Sequence, residues 1–212
     1  MSRPRCCTIL IEGPDRLGKS TQTSLLTKYF RFHGHKVTFV KSPFNDKITY
    51  PLIYWMLNAG WARVFPNLFQ VIQFINKLIF QWFKLPWLLR GNDFIIFDRW
   101  NISMWAYGLP DGANAWLTER MFRFIKEPDY TVIMDGDPHI MTGGDSYESD
   151  LAYQRRVRSL YLNWVVQHPC CVGQVNANQP VQKVFDDILK YLYEHSGVMK
   201  ERKNVEGNRI QA

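Results

Sequence analysis

The sequence predicts an α/β fold in which helices cover both faces of a five-stranded parallel sheet. Five short apolar segments alternate along the chain with longer stretches of helical periodicity. Short apolar strands separated by helices are typical of parallel sheets that are covered on both faces. A glycine-rich motif connects the first predicted strand to the first predicted helix, as a phosphate-binding loop does.

The predicted strands and helices alternate along almost the whole chain. The strands are expected at 8–11, 37–41, 94–97, 131–134 and 170–175. The helices are expected at about 19–32, 51–60, 67–85, 114–126, 148–167 and 181–194. Because 46% of the 212 residues are hydrophobic, the chain can bury one sizeable core. We therefore predict a single domain over residues 1–195 and a polar, disordered tail over 196–212.

The helix expected at 67–85 is rich in aromatic residues and has to be distinguished from a membrane span. Polar and charged residues interrupt it repeatedly, and its apolar residues recur on one face. That face consists of Leu68, Ile72, Ile75, Ile79 and Trp82. The spacing predicts an amphipathic helix that buries its apolar face, and it disfavours a segment that crosses a bilayer.

Residues 13–20, GPDRLGKS, match the phosphate-binding pattern G-x-x-x-x-G-K-[ST]. Gly13 and Gly18 allow backbone N–H groups to turn toward phosphate oxygens, and the following helix points its N-terminus at the same anion. Lys19 supplies a positive charge for the β- and γ-phosphates of ATP, and Ser20 supplies a hydroxyl ligand for Mg²⁺. An ordinary glycine turn that caps a helix is the alternative. The residues expected to bind ATP are Gly13, Pro14, Asp15, Arg16, Leu17, Gly18, Lys19, Ser20 and Thr21.

A second motif lies at the carboxyl end of the third predicted strand, the edge at which open α/β sheets bind ligands. Asp98 is followed there by Arg99. The planar guanidinium of arginine matches phosphate oxygens, so Arg99 is expected to bind a second phosphate group. A structural Asp–Arg ion pair is the alternative, and the nearby phosphate-binding loop favours the functional interpretation.

Composition favours an anionic ligand. The formal net charge of +7 suits nucleotides or nucleic acid, and the scattered placement of the basic residues disfavours nucleic acid. The four cysteines form two adjacent pairs, Cys6-Cys7 and Cys170-Cys171, without the spacing of a metal site or a disulfide framework. With no secretory signal in the sequence, we expect reduced thiols, a cytoplasmic location and no membrane association.

The loop at about residues 136–150 contains Gly143-Gly144 and precedes a polar helix. Phosphoryl transfer requires the exclusion of water, so a mobile lid over the nucleotide is a natural use for this loop. An ordinary surface loop is the alternative.

Three segments of the chain together resemble the thymidylate kinases. EGPDRLGKSTQ at 12–22 meets the family pattern E-G-x-D-x-x-G-K-[ST]-T-Q, and DRWNISMWAYG at 98–108 meets D-R-[YW]-x-x-S-x-x-A-[YF]. DSYESDLAYQRRV at 145–157 is a looser match, and the resemblance runs in order from about residue 8 to residue 192. It implies a P-loop kinase with a five-stranded parallel sheet, a short lid and a homodimeric assembly.

The resemblance also implies transfer of a phosphoryl group from ATP to a deoxynucleoside monophosphate, dTMP or a related pyrimidine nucleotide. Asp98 would hold Mg²⁺ through water, beside Ser20. Because residues 136–147 contain no Lys or Arg, Arg16 matches the branch whose catalytic arginine lies in the phosphate-binding loop. The catalytic residues that the resemblance implies are Asp15, Arg16, Lys19 and Arg99. The acceptor-binding residues it implies are Asp15, Pro43, Phe69, Phe74, Arg99, Ser103, Tyr107 and Tyr147, with the two phenylalanines stacking on the base.

Two departures from the family pattern fall in the acceptor pocket. An arginine usually follows the proline after the second strand, but this chain reads KSPFNDK, where Lys47 is the candidate replacement. An Asn-Arg pair on the base-binding helix appears here as Asn76-Lys77, and lysine lacks the fork of arginine. Gln70 and Gln73 can read a base edge through amide hydrogen bonds instead. The residues therefore support ATP as donor more strongly than thymidylate as acceptor.

Two other functions remain open at this point. A deoxynucleoside kinase shares the loop and the sheet but accepts an unphosphorylated substrate, and Arg99 beside Asp98 favours the monophosphate instead. A P-loop module that acts on nucleic acid is favoured only by the basic charge, since a fold does not define a function.

Overall fold

The computed structural model describes residues 5–137, 150–169 and 172–195. Several predictions concern residues outside these ranges: most of the lid at 136–150, Tyr147, the pair Cys170-Cys171 and the tail at 196–212. They stay predictions.

The core of the fold is a five-stranded sheet in which every pair of neighbouring strands is parallel. The strand order is β2-β3-β1-β4-β5, so β1 lies at the centre and carries the phosphate-binding loop at its carboxyl end. The strands are β1 (Cys7–Glu12), β2 (Val37–Lys41), β3 (Phe94–Asp98), β4 (Tyr130–Asp135) and β5 (Val172–Asn176). The predicted fold class is confirmed, and each predicted strand lies within two residues of an observed one.

Helices connect the strands. The first half of the chain contains α1 (Lys19–Phe32), α2 (Thr49–Asn58), α3 (Trp61–Val64), α4 (Pro66–Ile79) and α5 (Leu85–Gly91). The second half contains α6 (Asn101–Gly108), α7 (Ala115–Phe122), α8 (Leu151–Gln167) and α9 (Val181–His195). No helix in the described ranges is long and apolar enough to span a membrane.

Two apolar layers sandwich the sheet because successive strand residues point to opposite faces. On one face, Ile9 and Ile11 of β1 pack with Leu26 of α1 and Ile188 of α9. On the other face, Leu10 packs in the cluster that contains Val157 of α8. All of these side chains are fully buried, and each contributes about 1.5–3 kcal/mol by leaving water.

The long helix predicted at 67–85 differs from the observed structure in continuity. It ends as α4 at Ile79, continues through one π-helical turn at Phe80–Lys84, and restarts as α5 at Leu85. Pro86 accounts for the restart, because proline lacks a backbone donor and is tolerated in the first turn of a helix but not in its interior.

The predicted burial of the apolar face of this helix holds at Ile72, which is 8% exposed, and in part at Ile79, but it fails at the other three residues. Leu68, Ile75 and Trp82 are 54%, 42% and 64% exposed, whereas the polar Gln70 and Lys77 are 2% and 1% exposed. The buried side of α4 is therefore mixed, with polar residues beside Phe69 and Ile72, while several apolar residues face outward. Periodicity identifies the faces of a helix, but it cannot say which face meets a polar cavity.

Helix α6 follows β3 directly and was not among the predicted helices. Six of its eight residues are buried, including Trp105 and Ala106, so it lacks the alternating polar pattern of a surface helix. It packs against α8 and α4, and it positions Ser103 and Tyr107 near the end of β1.

Gly13 is expected to be far less replaceable than Gly34, although both have positive φ angles of 139° and 81°. A methyl group at Gly13 would lie 2.4 Å from the carbonyl oxygen of Met134 in β4, whereas Gly34 has open space around it. Gly34→Ala should lower the free energy of unfolding by about 1–2 kcal/mol through backbone strain alone. Gly13→Ala should cost at least about 3 kcal/mol, because a strand backbone must also move. Urea unfolding of both variants checks this, and equal losses would contradict the steric explanation.

Candidate active site

The phosphate-binding loop joins β1 to α1 with three positive φ angles. Gly13 has φ 139°, Arg16 has φ 63° and Gly18 has φ 80°, and Gly18 occupies the N-cap position of α1 without a side-chain cap. The first N–H groups of α1 are therefore available to an anion, and the helix dipole favours one there. Arg16 is a non-glycine residue in a strained conformation, which occurs preferentially at functional sites.

Lys19 is buried beneath this loop. Its Nζ donates to the carbonyl oxygen of Pro14 at 2.5 Å and lies 4.0 Å from Asp15 Oδ1. Burial, together with the nearby charge of Arg99, lowers the pKa of Lys19 to about 8. One of the three N–H donors of the ammonium is used by the backbone of the loop. The other donors are available to anionic partners.

Ser20 and Asp98 meet at the carboxyl ends of β1 and β3. The Ser20 hydroxyl donates to Asp98 Oδ2 at 3.2 Å. The Asp98 side chain is 2% exposed, and its Oδ1 is buried without a hydrogen-bond partner in the described residues. A buried carboxylate oxygen without a partner beside a hydroxyl is a donor set that suits a hard divalent cation.

Asp15, Arg99 and Tyr107 form a compact cluster opposite Lys19. One oxygen of Asp15 accepts a very short hydrogen bond from Arg99 Nη2, and the other accepts from the Tyr107 hydroxyl at 2.8 Å. The Arg99 guanidinium also lies over the Tyr107 ring, 4.8 Å from its centroid. Burial opposes ionisation of Asp15, but the charges of Arg99 and Lys19 outweigh it and hold the pKa of Asp15 below its ordinary value.

Glu12 is a functional residue that the site predictions omitted. It is fully buried at the end of β1, and its Oε1 accepts from the backbone N–H groups of Trp100 at 2.6 Å and Ser103 at 3.3 Å. Its Oε2 accepts from the Tyr161 hydroxyl at 2.8 Å. Burial raises the pKa of Glu12 despite the opposing charge of Arg99. The signal in the sequence was an acid at the end of an apolar strand, immediately before the glycine motif.

Glu12 holds the turn that presents Arg99. Arg99 has φ 69°, and its own N–H donates to the Ile11 carbonyl at 3.2 Å. The left-handed conformation reverses the chain after β3, and the Trp100 N–H that emerges from it is captured by Glu12. The guanidinium is thereby directed toward Asp15 instead of toward its sequence neighbour Asp98, so the alternative of an Asp98–Arg99 pair does not describe this site.

Polar residues of α4 are buried close to Glu12. The Nζ of Lys77 is buried without a hydrogen-bond partner among the described residues, and so is Oε1 of Gln70. Burial lowers the pKa of Lys77 to about 7, and the charge of Glu12 acts in the opposite direction. Gln70 packs on α6, since a methyl group at Gly108 would lie 2.2 Å from its Nε2. Residues 70 and 77 lie two turns apart on one side of α4.

Asn76 differs from Lys77 in having a complete set of partners. Its amide exchanges two hydrogen bonds of 2.8 Å with the backbone of Phe44 and donates to Asp46 at 2.6 Å. It therefore fixes the segment after β2 against α4. Of the two residues that align with the Asn-Arg pair of the family, Asn76 therefore positions the backbone after β2, and Lys77 places an amine in the interior.

Three other predicted acceptor residues, Ser103, Phe69 and Phe74, have different surroundings in the structure. Ser103 is brought to Glu12 through its backbone, and its hydroxyl donates to the Trp100 carbonyl at 2.9 Å. Phe69 is 7% exposed and packs in a separate cluster with Ile53 and Met56 of α2. Phe74 packs on the main core and meets Phe124 edge-on at 6.4 Å. This packing does not test whether either ring stacks on a base, and that role stays a prediction for both phenylalanines.

Pro43 and Lys47 lie on the segment that follows β2, where Pro43 is half-buried and Lys47 is exposed.

Arg158 of α8 was not predicted as a site residue. Its guanidinium donates to Asp135 at 2.6 Å and to Asp137 at 2.5 Å, at the start of the predicted lid. It connects α8 to the carboxyl end of β4.

Comparison with known proteins agrees with this geometry. The family model described as thymidylate kinase matches residues 11–188. A thymidylate kinase of Protochlamydia amoebophila is 28% identical over 212 residues, covering 88% of this chain and 92% of that protein. A probable thymidylate kinase of Thermococcus gammatolerans is 27% identical over 196 residues, covering 85% of this chain and 93% of its own length.

Two solved structures share the fold. The thymidylate kinase of Ehrlichia chaffeensis superimposes with a TM-score of 0.71 at 21% identity, covering 89% of this chain and all of its own. The thymidylate kinase of Candida albicans superimposes with a TM-score of 0.72 at 22% identity, covering 91% of this chain and 93% of its own. The family match spans the phosphate-binding loop, the Asp98-Arg99 turn and the helix that carries Lys77, so this chain belongs to the thymidylate kinase family of P-loop nucleoside monophosphate kinases.

Proposed function

We propose that this protein transfers the γ-phosphoryl group of ATP to dTMP, forming ADP and dTDP. The observation that carries the proposal is the cluster of Asp15, Arg99 and Tyr107 directly opposite Lys19. Lys19 belongs to the loop that binds the donor phosphates, and Arg99 presents a forked guanidinium for a second phosphate. Two phosphate-binding cations on either side of one carboxylate define a donor and an acceptor position.

Mg²⁺ is the cofactor that the residues at the ends of β1 and β3 fit. Ser20 would be a direct ligand, and the unpartnered Oδ1 of Asp98 would hold a metal-bound water. The ion, when bound, neutralises charge on the phosphates of ATP. Lys19 and the backbone N–H groups of the loop orient these phosphates, while the dry surroundings of Lys19 strengthen its attraction for them.

Lys77 and Gln70 support a pyrimidine-dione base on the acceptor. An ammonium donates hydrogen bonds and cannot accept them, whereas the Gln70 Oε1 accepts. Thymine presents a carbonyl oxygen next to an N–H on one edge, which complements this pair of groups. Because neither group has a protein partner in the described residues, a ligand that satisfies both would recover the cost of burying them.

A deoxynucleoside kinase remains the second candidate, since the donor site would be unchanged. The position of Arg99 disfavours it, because a partly buried guanidinium beside Asp15 suits a phosphate and has no partner on an unphosphorylated acceptor. Action on nucleic acid has only the overall positive charge in its favour.

A substrate panel tests the proposed function. Purified protein with ATP and Mg²⁺ is offered dTMP, dUMP, dCMP, dAMP and thymidine, and formation of ADP is measured. We expect dTMP to give the highest kcat/KM and thymidine to give none. Turnover of thymidine without turnover of dTMP would replace the proposal by the nucleoside kinase, and turnover stimulated only by DNA would overturn both.

We also propose a cytoplasmic, homodimeric protein. Cys6 and Cys7 are buried in opposite layers of the core, which suits thiols kept from oxidation in the cytoplasm.

The interface of the proposed homodimer is the outward apolar face of α4 and its π-helical extension, formed by Leu68, Ile75 and Trp82. This face continues toward the stacked rings of Trp61 and Phe65. An exposed apolar surface of this extent is typical of an interface between copies of one chain.

Arg99→Ala is expected to raise the KM for dTMP at least about a hundredfold and to leave the KM for ATP within about twofold, because a buried forked contact to phosphate is worth about 2–4 kcal/mol. Arg123→Ala, which removes an exposed arginine that is not assigned to either substrate, is the control. Steady-state kinetics with each substrate varied decides. A rise in the KM for ATP alone would place Arg99 on the donor.

Arg16 is expected to act in the transition state. Arg16→Gly should lower kcat by about a thousandfold with little change in either KM, because the residue meets charge that develops during transfer. Glycine is the variant of choice, since it removes the side chain and relieves the strain at φ 63°. Arg16→Lys should restore little activity, because an ammonium cannot bridge two oxygens in one plane. An unchanged kcat in Arg16→Gly would direct attention to Arg155 and Arg156 on α8.

Lys77→Met is expected to stabilise the protein near neutral pH while weakening dTMP binding. The pKa of Lys77 falls from 10.5 to about 7 on folding, so the unfolded chain binds more protons between these values. The free energy of unfolding of the wild type therefore rises with pH in that window. The variant should be more stable by about 1–4 kcal/mol below pH 7, and the gain should vanish near pH 10.

Lys19 titrates in an overlapping window, with a pKa of about 8, and contributes equally to wild type and variant. The difference between the two proteins in urea unfolding at a series of pH values isolates Lys77. A gain in stability that does not change with pH would show that Lys77 is not desolvated.

The proposed dimer is expected to depend on the outward face of α4. Trp82→Glu should give a monomer in light scattering after gel filtration, because a charge in an apolar interface is desolvated without a partner. Trp116→Glu is the matched control, since Trp116 is 65% exposed on α7 and Trp82 is 64% exposed. Dissociation by both variants, or by neither, would contradict this interface.

A further inference from the structure

A groove between α1 and the edge strand β2 begins at Ser20 of the donor site and runs away from that site along α1. This open groove has a volume of about 510 Å³, which falls in the range of small-molecule sites. Small hydroxyl side chains of α1 form its floor, and the strand supplies an aromatic ring. Ser20 and Ser24 line its end near the phosphate-binding loop, and the residues that line the rest of this α1–β2 groove are Thr23, Thr27, Lys28, Arg31, Phe39 and Lys41.

Three cations line the groove without an acid among its lining residues. Arg31 is held in place by a hydrogen bond of 2.9 Å from Nη2 to the Val37 carbonyl. The side-chain ammonium groups of Lys28 and Lys41 have no ion pair or hydrogen bond with any of the described residues. Asp98, the register partner of Lys41 on β3, receives the Ser20 hydroxyl instead. Like charges collected in a concave surface attract an anion.

The ring of Phe39 gives the groove a second property. It is 41% exposed on the face of β2 that α1 covers only in part. An exposed aromatic ring beside several cations is a platform on which a base can stack while its phosphates meet the charges. The groove extends along α1 from Ser20 to Arg31, a rise of about 16 Å at 1.5 Å per residue, so most of it lies beyond the phosphate-binding loop.

We propose that the α1–β2 groove binds a free nucleoside triphosphate as an additional ligand, with its phosphates on Lys28, Arg31 and Lys41 and its base on Phe39. The groove volume and the single aromatic ring favour one nucleotide over a strand, since a strand is bound along successive rings. The inference does not depend on the acceptor proposed above, because the groove shares none of the residues assigned to the acceptor.

The test is isothermal titration of dTTP into protein that already holds saturating dTMP and a non-hydrolysable ATP analogue with Mg²⁺. We expect one additional equivalent to bind. Lys28→Glu should weaken this binding at least about tenfold through charge reversal, and Phe39→Ala should weaken it about tenfold through loss of stacking. Lys190→Glu, a reversal of an exposed lysine on α9, should leave it unchanged.

Two further probes identify the ligand class. Inorganic tripolyphosphate should bind more weakly than dTTP and should be insensitive to Phe39→Ala. A twelve-nucleotide strand of deoxythymidine should not bind more tightly than dTTP. Tripolyphosphate binding as tight as dTTP would overturn the assignment of a nucleotide, and tight binding of the strand alone would assign the groove to nucleic acid.

Absence of an additional equivalent, or equal weakening by Lys28→Glu and Lys190→Glu, would overturn the site itself. Circular dichroism and the kcat of each variant show that the fold and the transfer reaction are retained, since Lys28 and Phe39 lie outside both assigned substrate positions. The substrate panel tests the proposed acceptor and the titration tests the α1–β2 groove. Either proposal can therefore be overturned while the other is supported.

Discussion

The buried carboxylate of Glu12 is the interaction on which the arrangement of the site depends. It ends the central strand and accepts hydrogen bonds from the turn after β3 and from Tyr161 of α8. Three separate elements are thereby tied to the point at which the phosphate-binding loop begins. Removing one partner would leave a buried polar group unsatisfied, which costs more than the bond itself contributes. The cluster of Asp15, Arg99 and Tyr107 is built on this frame.

Backbone strain accompanies the same frame. The two non-glycine residues with positive φ in the described ranges are Arg16, in the phosphate-binding loop, and Arg99, which directs its guanidinium to Asp15. Each such conformation costs about 1 kcal/mol or more and persists only where the surroundings enforce it. At Arg99 the enforcing contacts are the Ile11 carbonyl and the capture of the next N–H by Glu12. The strain therefore determines where the arginine points.

Helix α4 shows a conflict between stability and ligand binding. It buries Lys77 and Gln70 without partners and exposes Leu68, Ile75 and Trp82. Both features cost free energy in an isolated chain, and the proposed associations would relieve each of them, the first with a nucleotide base and the second with another apolar surface. Helix α4 would thus connect the proposed acceptor position on one side to the proposed dimer interface on the other.

Much of this protein follows from local sequence. The five strands, the parallel sheet and the phosphate-binding loop were predictable because each depends on short-range patterns: apolar runs, glycine spacing and a helix that begins at Lys19. The place of Arg99 at a strand end was likewise predictable from the alternation of strands and helices. Family membership rested on the same residues.

The remaining features depend on contacts between residues far apart in the chain. The roles of Glu12 and Tyr161 arise from a hydrogen bond across 149 positions, and no local pattern reports it. The buried polar residues of α4 departed from its periodicity because of other elements of the fold: Gln70 packs on Gly108 of α6, and Lys77 feels the charge of Glu12 on β1. Periodicity specifies which residues share a face of a helix; the packing of the other elements determines whether that face meets solvent, apolar core or a polar pocket.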